Sequence, residues 1–205
     1  MKAALWPLYG AALGGAGAAL FVSAIQFLPV GLAALAVVLF WASVSQVVRE
    51  DVLFGAPRGP LSPLQIAARV LLAAIWVTAF LHESAGGGVT RTGVLRMTAA
   101  AIAAQTMSRA GVVAMAWTSR PAAGGLELTA CLSTGAAASA LLIGLLAALI
   151  YGLRIGAALV VGAYLILRTA RGWFYQQREG IDGSDIAHAR MLVEGFAALV
   201  AVFAR

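Results

Sequence analysis

Charge, histidine and cysteine are all scarce in this sequence. Of its 205 residues, 14 are Lys or Arg, 8 are Asp or Glu, 2 are His and 1 is Cys. A lone cysteine excludes an intramolecular disulfide and any Cys-x-x-Cys redox or zinc motif. Cys131 stands in an apolar run and reads as a small buried hydrophobe. The two histidines, His82 and His188, fall on opposite sides of the topology derived below, which leaves no His-based zinc site. Neither G-x-S-x-G nor a P-loop occurs, so neither a nucleophile elbow nor a Walker-type phosphate cradle is available. Low charge excludes most of all. The chain is 11% charged and 62% hydrophobic, whereas soluble domains are about 25% charged and about 45–50% apolar. A soluble fold would have nothing to cover its apolar surface with.

What is present in quantity is Ala, Leu, Val and Gly in long runs. Spans of about 20 apolar residues cross a bilayer as helices. That rule predicts an all-α polytopic transmembrane bundle of six to seven spans, forming one integral membrane domain over 1–205. The spans lie near 5–26, 29–48, 63–82, 93–117, 128–150, 153–169 and 187–204. Tight turns are expected at QFLP (26–29), where Pro29 interrupts helical hydrogen bonding, and at IYGLRIG (150–156). The five Trp and four Tyr suit the membrane interface. The N-terminal MKAALWPLYG runs straight into further spans, which favours a retained first helix over a cleaved signal. Glycines at helical spacing, Gly10, Gly14 and Gly17 and later Gly144, Gly152 and Gly156, read as close-packing seams between helices.

Basic residues set the expected orientation. With the N-terminus cytoplasmic, Lys2, Arg49, Arg58, Arg69, Arg120, Arg168, Arg171, Arg178 and Arg190 lie inside; Arg91, Arg96, Arg154 and Arg205 lie outside. Nine against four is the positive-inside pattern of a bacterial inner-membrane protein. Basic residues scattered singly between spans also argue against a nucleic-acid partner; lipid and a second copy of the chain fit better. The same orientation gathers Glu50, Asp51, Glu179, Asp182 and Asp185, five of the eight carboxylates, on the cytoplasmic face. Acidic residues contribute little to topology, so their position needs another cause.

The candidate site residues come from that face and from the spans. Glu50 and Asp51 are either a solvated loop pair or oxygen ligands that could hold Mg²⁺ against a substrate phosphate. In GIDGSDIAH (180–188), Asp182 and Asp185 precede an apolar run, with Ser184 or Asp185 as the expected N-cap. Capping accounts for one of these carboxylates and leaves the other for a metal or phosphate site with Arg168, Arg171 and Arg178 nearby. A hydrogen bond between Asp185 and His188, one turn on, is geometrically reasonable. Arg109 stands about two turns inside the fourth span. There it either snorkels to the interface or faces the bundle interior, a cavity or a carboxylate, where it would suit a phosphate. Glu194, in the last span, should face the bundle or water.

Three stretches together resemble a known family. WPLYGAALGG (6–15) is similar to the first-helix opening of cobalamin 5′-phosphate synthases, the adenosylcobinamide-GDP ribazoletransferases. SRAGVVAMAWTSRPAAGG (108–125) resembles that family's Arg-led middle helix and Gly-rich loop. REGIDGSDIAHARMLVE (178–194) resembles its G-G-x-T-G-D-x-L-G-A element and following Glu-bearing helix, with Asp185 at the Asp position and Ser184 where the family has Gly. The sequence departs from the family after the second span. There the family carries the acidic signature H-x-D-G-L-A-D-T-x-D-G, whereas this chain reads VREDVLFGAPRGP, with only Glu50 and Asp51 matching in kind.

The resemblance implies a membrane transferase that joins adenosylcobinamide-GDP to α-ribazole or its 5′-phosphate, releasing GMP late in cobalamin biosynthesis. It implies a nucleotide-activated corrinoid and a ribazole as substrates, and Mg²⁺ as cofactor. On this expectation Glu50, Asp51, Asp182 and Asp185 hold the metal, Asp185 and Arg109 are catalytic, and Arg120 and Arg171 meet substrate phosphate. The alternatives are a catalytically inactive paralogue acting as a membrane interaction protein, or a small-solute transporter with Arg109 and Glu194 along its path.

Overall fold

The computed structural model describes residues 3–48, 63–84, 90–121, 132–177 and 180–203. Among them are seven α-helices and no strand: α1 (Trp6–Ala24), α2 (Val30–Val48), α3 (Pro63–Ser84), α4 (Arg91–Thr118), α5 (Thr134–Leu149), α6 (Leu153–Gln177) and α7 (Gly183–Phe203). A 3₁₀ turn, Ala3–Leu5, leads into α1, whose first turn contains Pro7, where a missing N–H costs nothing.

The helix boundaries have local causes. Thr90 and Ser133 accept from the backbone of Gly93 and Ala136, capping α4 and α5. Backbone bonds from Phe27 and Leu28 to the Ala24 carbonyl close the α1–α2 turn, and Pro29 stands just before α2. Gly152 at φ 96° makes the α5–α6 turn, a conformation that a Cβ would penalise. Both turns fall where the sequence predicted them, so α1 with α2, and α5 with α6, form antiparallel hairpins.

Among the described residues, four helices are long and apolar enough to cross a membrane: α1, α3, α6 and α7. Leucines and valines such as Leu35, Leu39, Val70, Leu71, Leu142 and Leu146 stand exposed on the outside of the bundle. A surface of that kind belongs in lipid. The longest helix, α4, is not among the four. It packs chiefly against α1, α5 and α7 and buries nearly every residue from Ala100 to Ala116. Shielded by its neighbours, α4 has no need of an apolar exterior and can carry Gln105, Thr106, Ser108 and Arg109 inside.

Small residues allow this close packing. A Cβ on Gly10 would collide with the Gln105 carbonyl of α4, and one on Gly14 would stand 2.6 Å from the Ala101 carbonyl. Helices α1 and α4 therefore meet backbone to backbone, as the glycine spacing predicts. An aromatic cluster fills the middle of the other side: Trp41 and Trp76 pack edge-on at 5.0 Å, and Phe21 lies 4.4 Å from Phe80. The Trp41 indole N–H donates to the Leu13 carbonyl at 3.0 Å, so a buried polar atom is satisfied.

Two expected boundaries move. Helix α6 runs to Gln177 rather than stopping near 169, which places Arg168 and Arg171 on a helix and not in a loop. Helix α7 begins at Gly183, just ahead of the start expected with Ser184 or Asp185 as N-cap, so Asp185 lies inside the helix. The hydropathy rule marks where lipid ends, and a helix is free to continue beyond that point. The expected loop over 47–63, with Glu50 and Asp51, lies outside the described residues apart from its ends, as do Cys131, Arg178 and Glu179.

Candidate functional site

Two polar clusters contain most of the sequence-predicted residues. The first starts from Arg109, which is fully buried on α4. Its Nη1 donates to the side-chain oxygen of Gln105 at 2.6 Å and to the Gln105 carbonyl at 3.0 Å. Its guanidinium lies over the Tyr9 ring of α1, 5.2 Å from the centroid. Arg109 therefore faces the bundle interior, and the snorkelling alternative is set aside. The Gln105 amide then donates from Nε2 to Glu194 Oε1 on α7 at 2.6 Å. Only one amide orientation satisfies both contacts, with oxygen toward the arginine and nitrogen toward the carboxylate.

Glu194 is the centre of this cluster. Its Oε1 also accepts from Trp76 Nε1 of α3 at 3.3 Å, and Arg190 Nη1 lies 3.7 Å from its Oε2. A buried carboxylate is tolerated when its lone pairs are met by donors and its charge by a cation. Here three residues from α3, α4 and α7 do both. Glu194 faces the bundle, as expected of a carboxylate in an apolar span. A small cavity of about 70 Å³ opens beside it, walled by Trp41, Trp76, Arg69, Arg190, Gln105 and Glu194. It is large enough for several waters, and two arginines, Arg69 and Arg190, share its wall with the carboxylate.

The second cluster lies where α4 ends and α7 begins. Asp182 Oδ1 accepts from the backbone N–H of Ser184 at 2.7 Å and of Asp185 at 2.9 Å, and from the Ser184 hydroxyl at 2.6 Å. Asp185 Oδ2 in turn accepts from the Asp182 N–H at 3.1 Å. This is a capping box with Asp182 as N-cap and Asp185 at the third helical position. It corrects two expectations. The cap is Asp182 and not Ser184 or Asp185, and capping accounts for both carboxylates rather than one. His188 Nε2 is buried without a hydrogen-bond partner among the described residues, so the expected bond to Asp185 is not made through that nitrogen.

A short parallel bridge joins this cap to the end of α4. The Ile181 N–H donates to the Arg120 carbonyl at 3.0 Å, and the Tyr175 hydroxyl accepts from the Arg120 N–H. The Arg120 backbone is thus fixed from both sides while the residue itself is exposed, available to an anion. Arg171 is placed differently. Its guanidinium lies 5.5 Å from the Tyr175 ring centroid, and with Arg168 it lines a groove on the outside of the bundle.

The magnesium expectation finds no complete set here. No group of three or more His, Cys, Asp or Glu that could hold a metal occurs among the described residues. The cap-side oxygens of Asp182 and Asp185 are already taken by backbone donors. The remaining expected ligands, Glu50 and Asp51, lie outside the described residues.

Sequence reading missed Gln105, Trp76 and Arg190 as partners of the buried charges. Gln105 is a neutral residue in an alanine run and Trp76 reads as an interfacial aromatic. The one available signal was electrostatic: Arg109 and Glu194, each costly alone in a span, each require a partner. Comparison with protein-family models, curated proteins and solved structures found no match for this chain.

Proposed function

We propose that this protein is a membrane-embedded transferase of the cobalamin synthase type, seated in a bacterial inner membrane with its N-terminus cytoplasmic. In that role an α-ribazole oxygen attacks the corrinoid-side phosphorus of adenosylcobinamide-GDP, forming one P–O bond as the bond to GMP breaks. One observation carries the reading: the three stretches that resemble the family, far apart in sequence, pack on one another. Tyr9 and Gly10 of 6–15 lie against Arg109 of 108–125, and Arg120 of that second stretch is bonded to Ile181 of 178–194. Convergence of this kind is what a shared site requires. Arg120 is assigned to substrate phosphate, and Arg109 to positioning Tyr9 and Gln105 rather than to direct contact, because it is fully buried. Magnesium enters the reading through the resemblance alone, and no step is routed through it.

The test is to incubate purified protein with adenosylcobinamide-GDP, α-ribazole 5′-phosphate and Mg²⁺ and to assay for cobalamin 5′-phosphate and GMP. Product that disappears on Arg120→Ala and Asp185→Asn, with membrane insertion intact, supports the transferase. No product where a full-length relative is active removes it. A second reading, an inactive paralogue that partners another membrane protein, is favoured by the capping box, since both aspartates already have a structural task. Retained binding of adenosylcobinamide-GDP without turnover would select that reading.

A further inference from the structure

On the outer surface, where α4 ends beside α5 and α6, lies a groove of about 590 Å³ that includes Arg171, expected from the resemblance to meet substrate phosphate, but not Arg120. Trp117, Thr118, Leu141, Tyr164, Arg168 and Arg171 line it. We propose that this groove binds an anionic phospholipid, with the phosphodiester between Arg168 and Arg171 and the acyl chains against the leucine face of α5.

Charge is the first argument. Two guanidiniums open into one groove, and no acidic residue lines it among the described residues. Both are oriented by aromatic neighbours: Arg168 Nη1 donates to the Tyr164 hydroxyl at 3.3 Å, and Arg171 sits over the Tyr175 ring. Arg holds a phosphate oxygen pair through its planar fork. The net charge of the groove opposes a zwitterionic headgroup, whose cation would meet the second arginine.

Location is the second. Trp117 is 41% exposed and Tyr164 is 58% exposed, amphipathic rings of the kind that stand at headgroup depth. Below them the surface is apolar: Leu141, Leu142, Leu145 and Leu146 of α5 are all exposed, which provides a path for acyl chains. Basic grooves between transmembrane helices at a membrane surface are a recognised form of anionic-lipid site. A soluble anion would use the guanidiniums and leave this leucine path uncovered.

The test uses full-length protein in detergent with equal phosphatidylglycerol and phosphatidylcholine, lipid retention being read by native mass spectrometry. Wild type should retain phosphatidylglycerol in about tenfold preference, and the double variant Arg168→Gln, Arg171→Gln should fall to near parity. Arg154→Gln, at the opposite end of α6, should behave as wild type. Unchanged preference in the double variant, an equal loss in Arg154→Gln, or release of the lipid by millimolar inorganic phosphate would each overturn the proposal. Far-ultraviolet circular dichroism and monodisperse elution establish that the variants are folded. The readout is independent of any transferase activity.

Discussion

Asp185 and Glu194 are both buried carboxylates on α7, nine residues apart, and they are held in opposite ways. Asp185 is held by the backbone of its own helix start, through a reciprocal bond with Asp182. Glu194 is held by side chains that arrive from α3, from α4 and from one turn earlier on α7. The first arrangement is local and would form in an isolated helix. The second exists only when the bundle has closed. One carboxylate therefore fixes where a helix begins, and the other reports whether the helices have met.

The largest expected effect lies on the Glu194 side. Glu194→Ala removes the acceptor for Trp76 and Gln105 and leaves Arg190 and the Arg109–Gln105 pair without their anion. Breaking a buried pair in this way costs about 3–5 kcal/mol. Thermal unfolding in detergent should show it, with Glu194→Gln milder because its amide oxygen still accepts. A shift of less than 1 °C for Glu194→Ala would mean that the cluster is solvated and the contrast with Asp185 unreal.

Gly10→Val should come next. Its side chain would drive into the Gln105 carbonyl, and overpacking of this kind costs about 1–3 kcal/mol. Combined with Glu194→Ala it should be less than additive, because both displace Gln105. Full additivity would separate α1 packing from the charge cluster.

Asp182→Ala should cost about 0.5–2 kcal/mol through loss of the cap. Its signature is spatial: hydrogen exchange should rise in the first turn of α7 and stay unchanged around Glu194. Spread of the effect along the whole helix would show that the two carboxylates are coupled after all. The smallest effect is expected for Gly15→Ala. Nothing stands within 4 Å of its would-be Cβ, so stability should hold or rise by up to about 1 kcal/mol. A loss at Gly15 comparable with that at Gly10 would contradict the α1–α4 contact.

The same division between local and tertiary explains what was legible in the sequence. Each expected span overlaps a helix among the described residues, four of them long and apolar enough to cross a membrane, and the turns at Pro29 and Gly152 were marked by residues that act on their own backbone. The extension of α6 past Arg168 was not visible, because TARGWFYQQ is too polar to read as membrane yet buries Ala170 and Phe174 on one face. The identity of the Asp182 cap was nearly legible; the reciprocal box needed the geometry. Partners of Glu194 were out of reach, since Gln105 is 89 positions away and Trp76 is 118. No pattern of composition or period connects residues at such separations.

The bond between Ile181 and the Arg120 carbonyl has a consequence for how the chain is threaded. It brings Arg120, two residues past the end of α4, within a hydrogen bond of Ile181, two residues before α7, so the segment carrying the α5–α6 hairpin leaves from and returns to one place. That hairpin is an excursion from the main path. Splicing it out, or grafting another in its place, would leave the other five helices connected in their present order without a new crossing or a longer linker.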